Sequence, residues 1–395
     1  MQNLKLVLDL WNWYIKWVIF AEENQSTIVV AKEIVKTSWM RKWKILDIDD
    51  FVYSIRELFD SFEKKLWWDY IEEVYVWISH PDMYVKRIKE QKRIVNEKIS
   101  QDDMDHLSNL VYDTSSEANY ETIKIIPVQW IIDENMNLKD PVDMEWKKLE
   151  LLADIFMIPK NFYNSLLEVF EKLEIEVGDI VPNILGSVEA AMDFDTKDLW
   201  AVLVDIWTNQ TSFVVYEEWI PLKYWIVPMW AEDVTKDISI WLQLDIKAAE
   251  TIKKEKWTIS LDDSDDQDEE ETIDVKFLTE VVSARYEEIF DKINEELIEI
   301  GKDARLPWGI ILVGWWSKIY GLDILAKQQF KLACFYGTSK LSGYQDLWED
   351  LQYINLIGAY LWCEKYSEKE GWFGIWSKLW FDWLKRMIRY IKDMF

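Results

Sequence analysis

The chain of 395 residues carries 26 tryptophans and only 11 glycines, and that imbalance limits which backbones it can adopt. Average usage would supply roughly 28 glycines at this length. Tight turns and helix C-caps need residues that tolerate positive φ, and a bulky side chain there is strained. The tryptophans sit where such residues belong. Trp11 and Trp13 flank Asn12 between two apolar runs. Trp67 and Trp68 follow a helical pattern over 50–66, at its expected left-handed cap, and Trp257 ends another helix in the same way. Trp219 stands after Glu217 and Glu218 in a hairpin turn, and Trp315 and Trp316 follow Gly314 after the apolar run 310–313. This placement predicts that most of these positions are glycine in the living cell, through a genetic code that reads UGA as glycine.

Half of the residues are hydrophobic, enough at this length for two or more domains with their own cores. The 73 acidic and 45 basic side chains leave a net charge of −28, which excludes a general nucleic-acid binder needing a basic face. Cys334 and Cys363 allow at most one disulfide and suit a reducing cytosol. With only two histidines beside them, a Cys/His zinc site has too few ligands. His80 and His106 have no triad partners in the pattern and read as structural residues. The longest apolar run, 308–316, is too short to span a bilayer, and Asp9 interrupts any signal-peptide core.

Strand patterns at 4–10 and 14–20 form a hairpin with Asp9 near the end of the first strand. The arrangement returns half a chain later, with a strand at 201–206 holding Asp205, a polar turn at 208–211 and a strand at 212–216. Two copies of strand, aspartate, turn and strand predict two related domains. Helical patterns run over 50–66, 100–113, 160–173, 184–192, 233–242, 245–256, 275–300 and 318–329. The class is α/β, with sheets built from hairpins and crossover helices. The acidic run 261–271 reads as a solvated loop.

Main-chain N–H groups of tight turns form nests that suit phosphates. A strand-end aspartate beside such a turn can hold the water shell of a Mg²⁺ ion that bridges them. Asp9 and Asp205 are the candidates for that metal role. The loop from Gly314 through Trp315, Trp316 and Ser317 would let a purine lie against bare backbone if it were glycine-rich. Glu250 and Lys253 stand three apart on one helix and can present to one ligand. The P-loop pattern GxxxxGK[ST] does not occur.

These elements, in this order, resemble the actin/Hsp70/sugar-kinase ATPase superfamily and, within it, the FtsA family of bacterial division proteins. LDLWNW at 8–13 is similar to the first phosphate loop, VDIWTNQT at 204–211 to the second, and ILVGWWSKIYGL at 311–322 to the adenosine loop. AAETIKKEKW at 248–257 is similar to the FtsA helix whose Glu and Lys reach the nucleoside. TSWMRKWKILDID at 37–49 and IIDENMNLKDPVDMEWKKLEL at 131–151 resemble stretches specific to FtsA rather than to actin folds at large. Family glycines appear here as Trp11, Trp207, Trp230, Trp315 and Trp316, and Ser212 replaces the usual acidic residue after the second loop. As real indoles, those tryptophans would leave a nucleotide-dead scaffold.

The resemblance implies an actin-like ATPase fold of two RNase H-like domains, with an SHS2-type subdomain inserted at about 79–158. The expected domains are 1–195 and 196–358, the latter with a smaller subdomain at about 228–300. ATP and Mg²⁺ are the implied ligands. Asp9, Trp11, Asn12, Trp13 and Lys16 would serve the first loop, and Asp205, Trp207, Thr208, Asn209, Gln210 and Thr211 the second. Trp230, Glu250, Lys253 and residues 314–317 would take the nucleoside, and Gln210 would position a water.

A linker is expected at 359–376, and then the tail SKLWFDWLKRMIRYIKDMF. Leu384, Met387, Ile388, Ile391, Met394 and Phe395 share one helical face, while Lys385, Arg386, Arg389 and Lys392 take the other or its borders. From 377 onward five basic and two acidic residues give +3 in a chain of −28. An amphipathic basic helix of this kind reads as an interfacial membrane anchor. At about 1 kcal/mol per basic residue, charge alone does not hold it, and burial of the apolar face supplies the rest. FtsA ends in a linker and a membrane helix of this kind.

The reading is therefore an ATP-binding actin homologue, at most a slow ATPase, that self-assembles into filaments. It would tether the division filament, through the tail peptide of the tubulin-like FtsZ, to the cytoplasmic face of the membrane at the division site, alongside other division proteins. The alternatives are a PilM-like pilus scaffold and a sugar-kinase-like phosphotransferase.

Overall fold

The computed structural model describes residues 4–11, 14–23, 26–36, 40–41, 44–66, 73–95, 98–132, 136–138, 141–145, 147–207, 210–227, 231–256, 275–339 and 353–366. They form two compact units, Met1–Gly186 with Ser342–Tyr344 and Leu356–Phe395, and Ser187–Leu341 with Gln345–Asn355.

The first unit begins with β1 (Leu4–Leu10), β2 (Tyr14–Glu23) and β3 (Ser26–Lys36), followed by a small ribbon of β4 (Met40–Arg41) and β5 (Lys44–Ile45). Helix α1 (Ile48–Leu66) leads to β6 (Glu73–Ile78). Phe51, Ile55, Leu58 and Phe62 recur at the helical period and are buried, and Phe62 meets Trp17 of β2 edge-on at 4.2 Å. An inserted four-stranded sheet follows, made of β7 (Tyr84–Arg93), α2 (Gln101–Ser115), β8 (Tyr120–Ile132), β9 (Met136–Leu138) and β10 (Lys148–Pro159). The chain returns through α3 (Lys160–Lys172), β11 (Glu176–Pro182) and α4 (Asn183–Ala191). The main sheet has the order β11-β6-β1-β2-β3. Strands β1, β2 and β3 are antiparallel, whereas β6 runs parallel to β1, and β11 to β6.

The second unit holds α5 (Phe194–Asp198), β12 (Ala201–Ile206), β13 (Thr211–Glu217), β14 (Ile220–Val227), α6 (Ala231–Trp241), α7 (Ile246–Lys256), α8 (Val275–Glu299), β15 (Gly309–Val313), α9 (Leu322–Phe330) and β16 (Cys334–Tyr336). Its sheet has the order β14-β13-β12-β15-β16. Strands β12, β13 and β14 are antiparallel, and β15 and β16 run parallel to β12. Order and strand senses repeat those of the first unit, so the expected duplication is present. Strand β12 is buried along its whole length, with Val202, Val204 and Ile206 on the side of Val282, Tyr286 and Phe290 of α8.

In the inserted sheet, Leu149, Leu151, Ala153 and Ile155 alternate toward Leu107 and Val111 of α2. On the opposite face Arg87 binds Asp154 through two hydrogen bonds of 2.7 Å. Lys124 of β8 pairs with Asp179 of β11, which ties the inserted sheet to the main one.

Two expectations change. The helix expected over 318–329 begins only at Leu322, after a 3-10 turn at Trp315–Ser317, because Gly321 at φ 86° stands outside helical backbone and caps it. The stretch expected to be a linker from 359 is helical to Tyr366, within α10 (Ile354–Tyr366). Burial explains it: Tyr360 stacks on Phe20 at 4.4 Å and meets the Thr27 hydroxyl at 3.0 Å, and Glu364 pairs with Lys5. The acidic run 261–271 and the tail 377–395 lie outside the described residues.

Among the described residues, eight other than glycine have positive φ, including Trp200 at 61° and Trp219 at 75°. The other six are Asp143, Glu174, Glu218, Gln243, Ala304 and Lys331, so among the described residues only the two tryptophans bring an aromatic ring to that region. A Cβ in left-handed backbone costs about 1–2 kcal/mol at each such position.

Helix α2 is capped by a reciprocal pair, in which Ser100 accepts from the Asp103 N–H and the Asp103 carboxylate accepts from the Ser100 N–H at 3.0 Å. Burial pushes the Asp103 carboxyl up, but hydrogen bonds from Lys92 and Ser100 outweigh it and hold it below its ordinary value. Replacing Ser100 with Ala should destabilise the inserted sheet and α2 by about 1 kcal/mol in denaturant titrations. Because the folded carboxyl is depressed, its contribution is full above about pH 4 and lost as pH falls through the folded value. Repeating the titrations at acid pH checks that loss.

Candidate functional site

Each sheet presents the same local construction at the end of its central strand. Asp9 is the penultimate residue of β1 and Asp205 that of β12, and both are fully buried. The turn after each is closed by one main-chain bond. The Trp11 N–H donates to the Tyr14 carbonyl at 2.9 Å, and the Trp207 N–H donates to the Gln210 carbonyl at 2.9 Å. The residue opposite Asp9 in the ladder is Lys16, and the one opposite Asp205 is Ser212.

In the first unit Asn183 donates an amide N–H to Asp9 at 3.2 Å, and the Lys16 ammonium stands 3.9 Å from the carboxylate. The same ammonium lies 4.9 Å from the Trp11 ring centroid. In the second unit the Ser187 hydroxyl donates to Asp205 at 2.8 Å. Asn183 and Ser187 were not anticipated from sequence. They are ordinary polar residues in an apolar helical stretch, and their role depends on which strand end the helix meets.

The third loop approaches β12 from β15. Gly314 has φ 92°, and a Cβ there would collide with the Ile206 carbonyl oxygen and lie 2.9 Å from an Asp205 carboxylate oxygen. The Ser317 hydroxyl donates to the Gly314 carbonyl at 2.7 Å, and the Tyr286 phenol donates to the Trp316 carbonyl at 3.1 Å. The second unit thus brings Asp205, Trp207, Gln210, Thr211 and the loop 314–317 to one end of its sheet. Asn12, Trp13, Thr208, Asn209, Trp230 and the side chains of Glu250 and Lys253 lie outside the described residues, as do membrane-face residues 384–395. His80 is buried and accepts the Asp82 N–H at Nδ1, a structural contact.

Two observations bear on whether a hydrated cation and a nucleotide fit these residues. The buried carboxylates suit a cation's water shell, and among the described residues the Asn183 and Gln210 amide oxygens and the Thr211 hydroxyl are buried without a hydrogen-bond partner. Those groups fit. The turns do not: Trp11, Trp207 and Trp316 are buried there, at 4%, 3% and 3% exposure, and place indole where a phosphate nest needs open main chain.

The repeated mixed sheets, each with a buried strand-end aspartate, define an actin-like ATPase fold. Solved structures agree. A chain of the PilM-PilN type IV pilus biogenesis complex superposes with TM-score 0.64 at 14% identity, covering 90% of this chain and 97% of that one. MreB5 of Spiroplasma citri, solved bound to ADP, gives TM-score 0.54 at 11% identity, with 92% and 96% covered. A family model described as the SHS2 domain inserted in FtsA matches 83–157, and one described as cell division protein FtsA matches 202–361. The cell division protein FtsA of Bacillus subtilis is 26% identical over 340 residues, spanning 82% of this chain and 76% of its own. That of Pseudomonas aeruginosa is 23% identical over 304 residues, spanning 74% and 72%. The chain belongs to the FtsA family of cell division proteins.

Replacing Gly314 with Ala should lower stability by more than about 1 kcal/mol, because left-handed backbone and a carbonyl collision coincide. Thermal melting of the full chain is the measurement.

Proposed function

We propose that this protein is an ATP-binding, actin-like division scaffold that tethers FtsZ filaments to the cytoplasmic face of the membrane and self-assembles. The duplicated buried aspartate, read together with membership of the FtsA family, carries the proposal. Asp9 and Asp205 would hold Mg²⁺ through water, with Lys16, Gln210 and Thr211 toward the phosphates and Ser317, Glu250 and Lys253 toward the nucleoside. ATP would favour closure of two actin-like domains, about 1–195 and 196–358, and hydrolysis would be slow, with Gln210 the candidate for positioning water. The nucleotide part requires open main chain at 11, 13, 207, 230, 315 and 316.

The FtsZ tail peptide would dock on the smaller subdomain, about 228–300. A groove of about 320 Å³ between α6 and α8 supports this, lined by Trp241, Val281 and Arg285 with acidic residues at its rim. Arg285 is held there by Asp237 at 2.8 Å and Glu288 at 2.6 Å. The inserted sheet would serve polymerisation. The amphipathic tail 377–395 would supply the membrane contact. No helix among the described residues is long and apolar enough to cross a membrane. The likeness to PilM rests on 14% identity and shows the fold alone, so the pilus-scaffold reading stands behind this one. The sugar-kinase reading draws no support from the family models.

Calorimetric titration of Mg-ATP into natively made protein should saturate, and Asp205→Asn should weaken it about 10–100-fold. Equal binding by both would remove the metal role. Deleting 377–395 should abolish flotation with anionic vesicles and leave nucleotide affinity unchanged.

A further inference from the structure

We propose that residues 200 and 219 are glycine in the protein as its own cell makes it, because UGA is read there as glycine. The inference starts from local backbone geometry. Strands β13 and β14 are joined by two residues, since Glu217 pairs with Ile220. Glu218 and Trp219 both have positive φ, 48° and 75°. A two-residue turn with that signature is type I′, whose second position belongs to glycine. Residue 200 follows Leu199, the C-cap of α5, and takes φ 61°. That is the C′ position, where left-handed glycine ends a helix.

Both residues contribute main-chain bonds, and the Trp200 ring also packs against the core of the second unit, 4.2 Å from the Lys302 ammonium. The Trp219 N–H donates to the Lys197 carbonyl at 3.1 Å, and the Trp200 carbonyl accepts from the Trp308 N–H at 3.3 Å. Glycine keeps both bonds and removes the strain. The indoles add crowding: the Trp219 ring centroid lies 3.3 Å from that of Phe194, inside the roughly 4.5–7 Å spacing of favourable ring pairs. Gly301, Gly309, Gly314 and Gly321 also have positive φ, and the described residues other than glycine that share it have smaller side chains, apart from Trp200 and Trp219.

Extension to Trp11, Trp207 and Trp316 rests on the nucleotide reading, because strain does not single them out. There the conflict is one of space, between buried indoles and turns built like phosphate nests. Glycine at 11 and 207 keeps the turn-closing bonds to Tyr14 and Gln210, which are main-chain bonds.

Peptide mass spectrometry of full-length protein purified from its source cell decides the matter. Glycine at both 200 and 219 is the expected result, and tryptophan at either overturns the proposal. A second measurement uses recombinant full chain: the W219G variant, which loses a left-handed Cβ and the crowded ring, should melt a few degrees above the tryptophan form, and a lower melting point overturns the proposal. Should native protein carry glycine at 11, 200, 207 and 219 and still ignore Mg-ATP in calorimetry, the decoding stands and the nucleotide reading fails.

Discussion

A carboxylate taken wholly out of water at the end of a central strand is the interaction around which each half of this molecule is organised. Burying an ion costs far more than burying a hydroxyl, so the surroundings must answer it. In the first unit Asn183 and Lys16 do so, and in the second Ser187 does. Neither aspartate sits in the apolar middle of its strand. Each is one residue from the turn that a main-chain bond closes.

The rest of the fold serves those two strand ends. A meander of three antiparallel strands puts the turn beside the aspartate, and parallel strands reached through crossover helices bury the strand on both sides. The inserted sheet departs from this plan: it has its own helix and its own core, and the Lys124–Asp179 pair joins it to the main sheet. A subdomain held by its own core can change surface residues without disturbing the main sheet.

Glycine scarcity is where sequence and structure press hardest on each other. Turns that close on main-chain bonds tolerate many side chains sterically, as residues 11 and 207 illustrate. Left-handed turns do not, as 200 and 219 illustrate. The distinction follows from Cβ sterics alone. It separates tryptophans that merely fill a site from tryptophans that oppose the backbone.

Much of this was legible beforehand. Periodicity located the strand-end aspartates, the duplicated hairpins and most helices, because period-2 and period-3.6 burial is a local property of the chain. The helix after 317 was placed too early, since one glycine at 321 outweighs a continuing apolar pattern. The segment from 359 looked like a linker, yet Tyr360 and Glu364 find partners on strands over 330 residues earlier. Asn183, Ser187 and Tyr286 carried no signal, because a polar residue in a helix declares its purpose only through the loop it meets. The chain alone therefore determined which strands end in carboxylates and how often the motif repeats. Tertiary structure decided which distant side chains answer those charges, because such contacts depend on packing between segments and not on spacing within one.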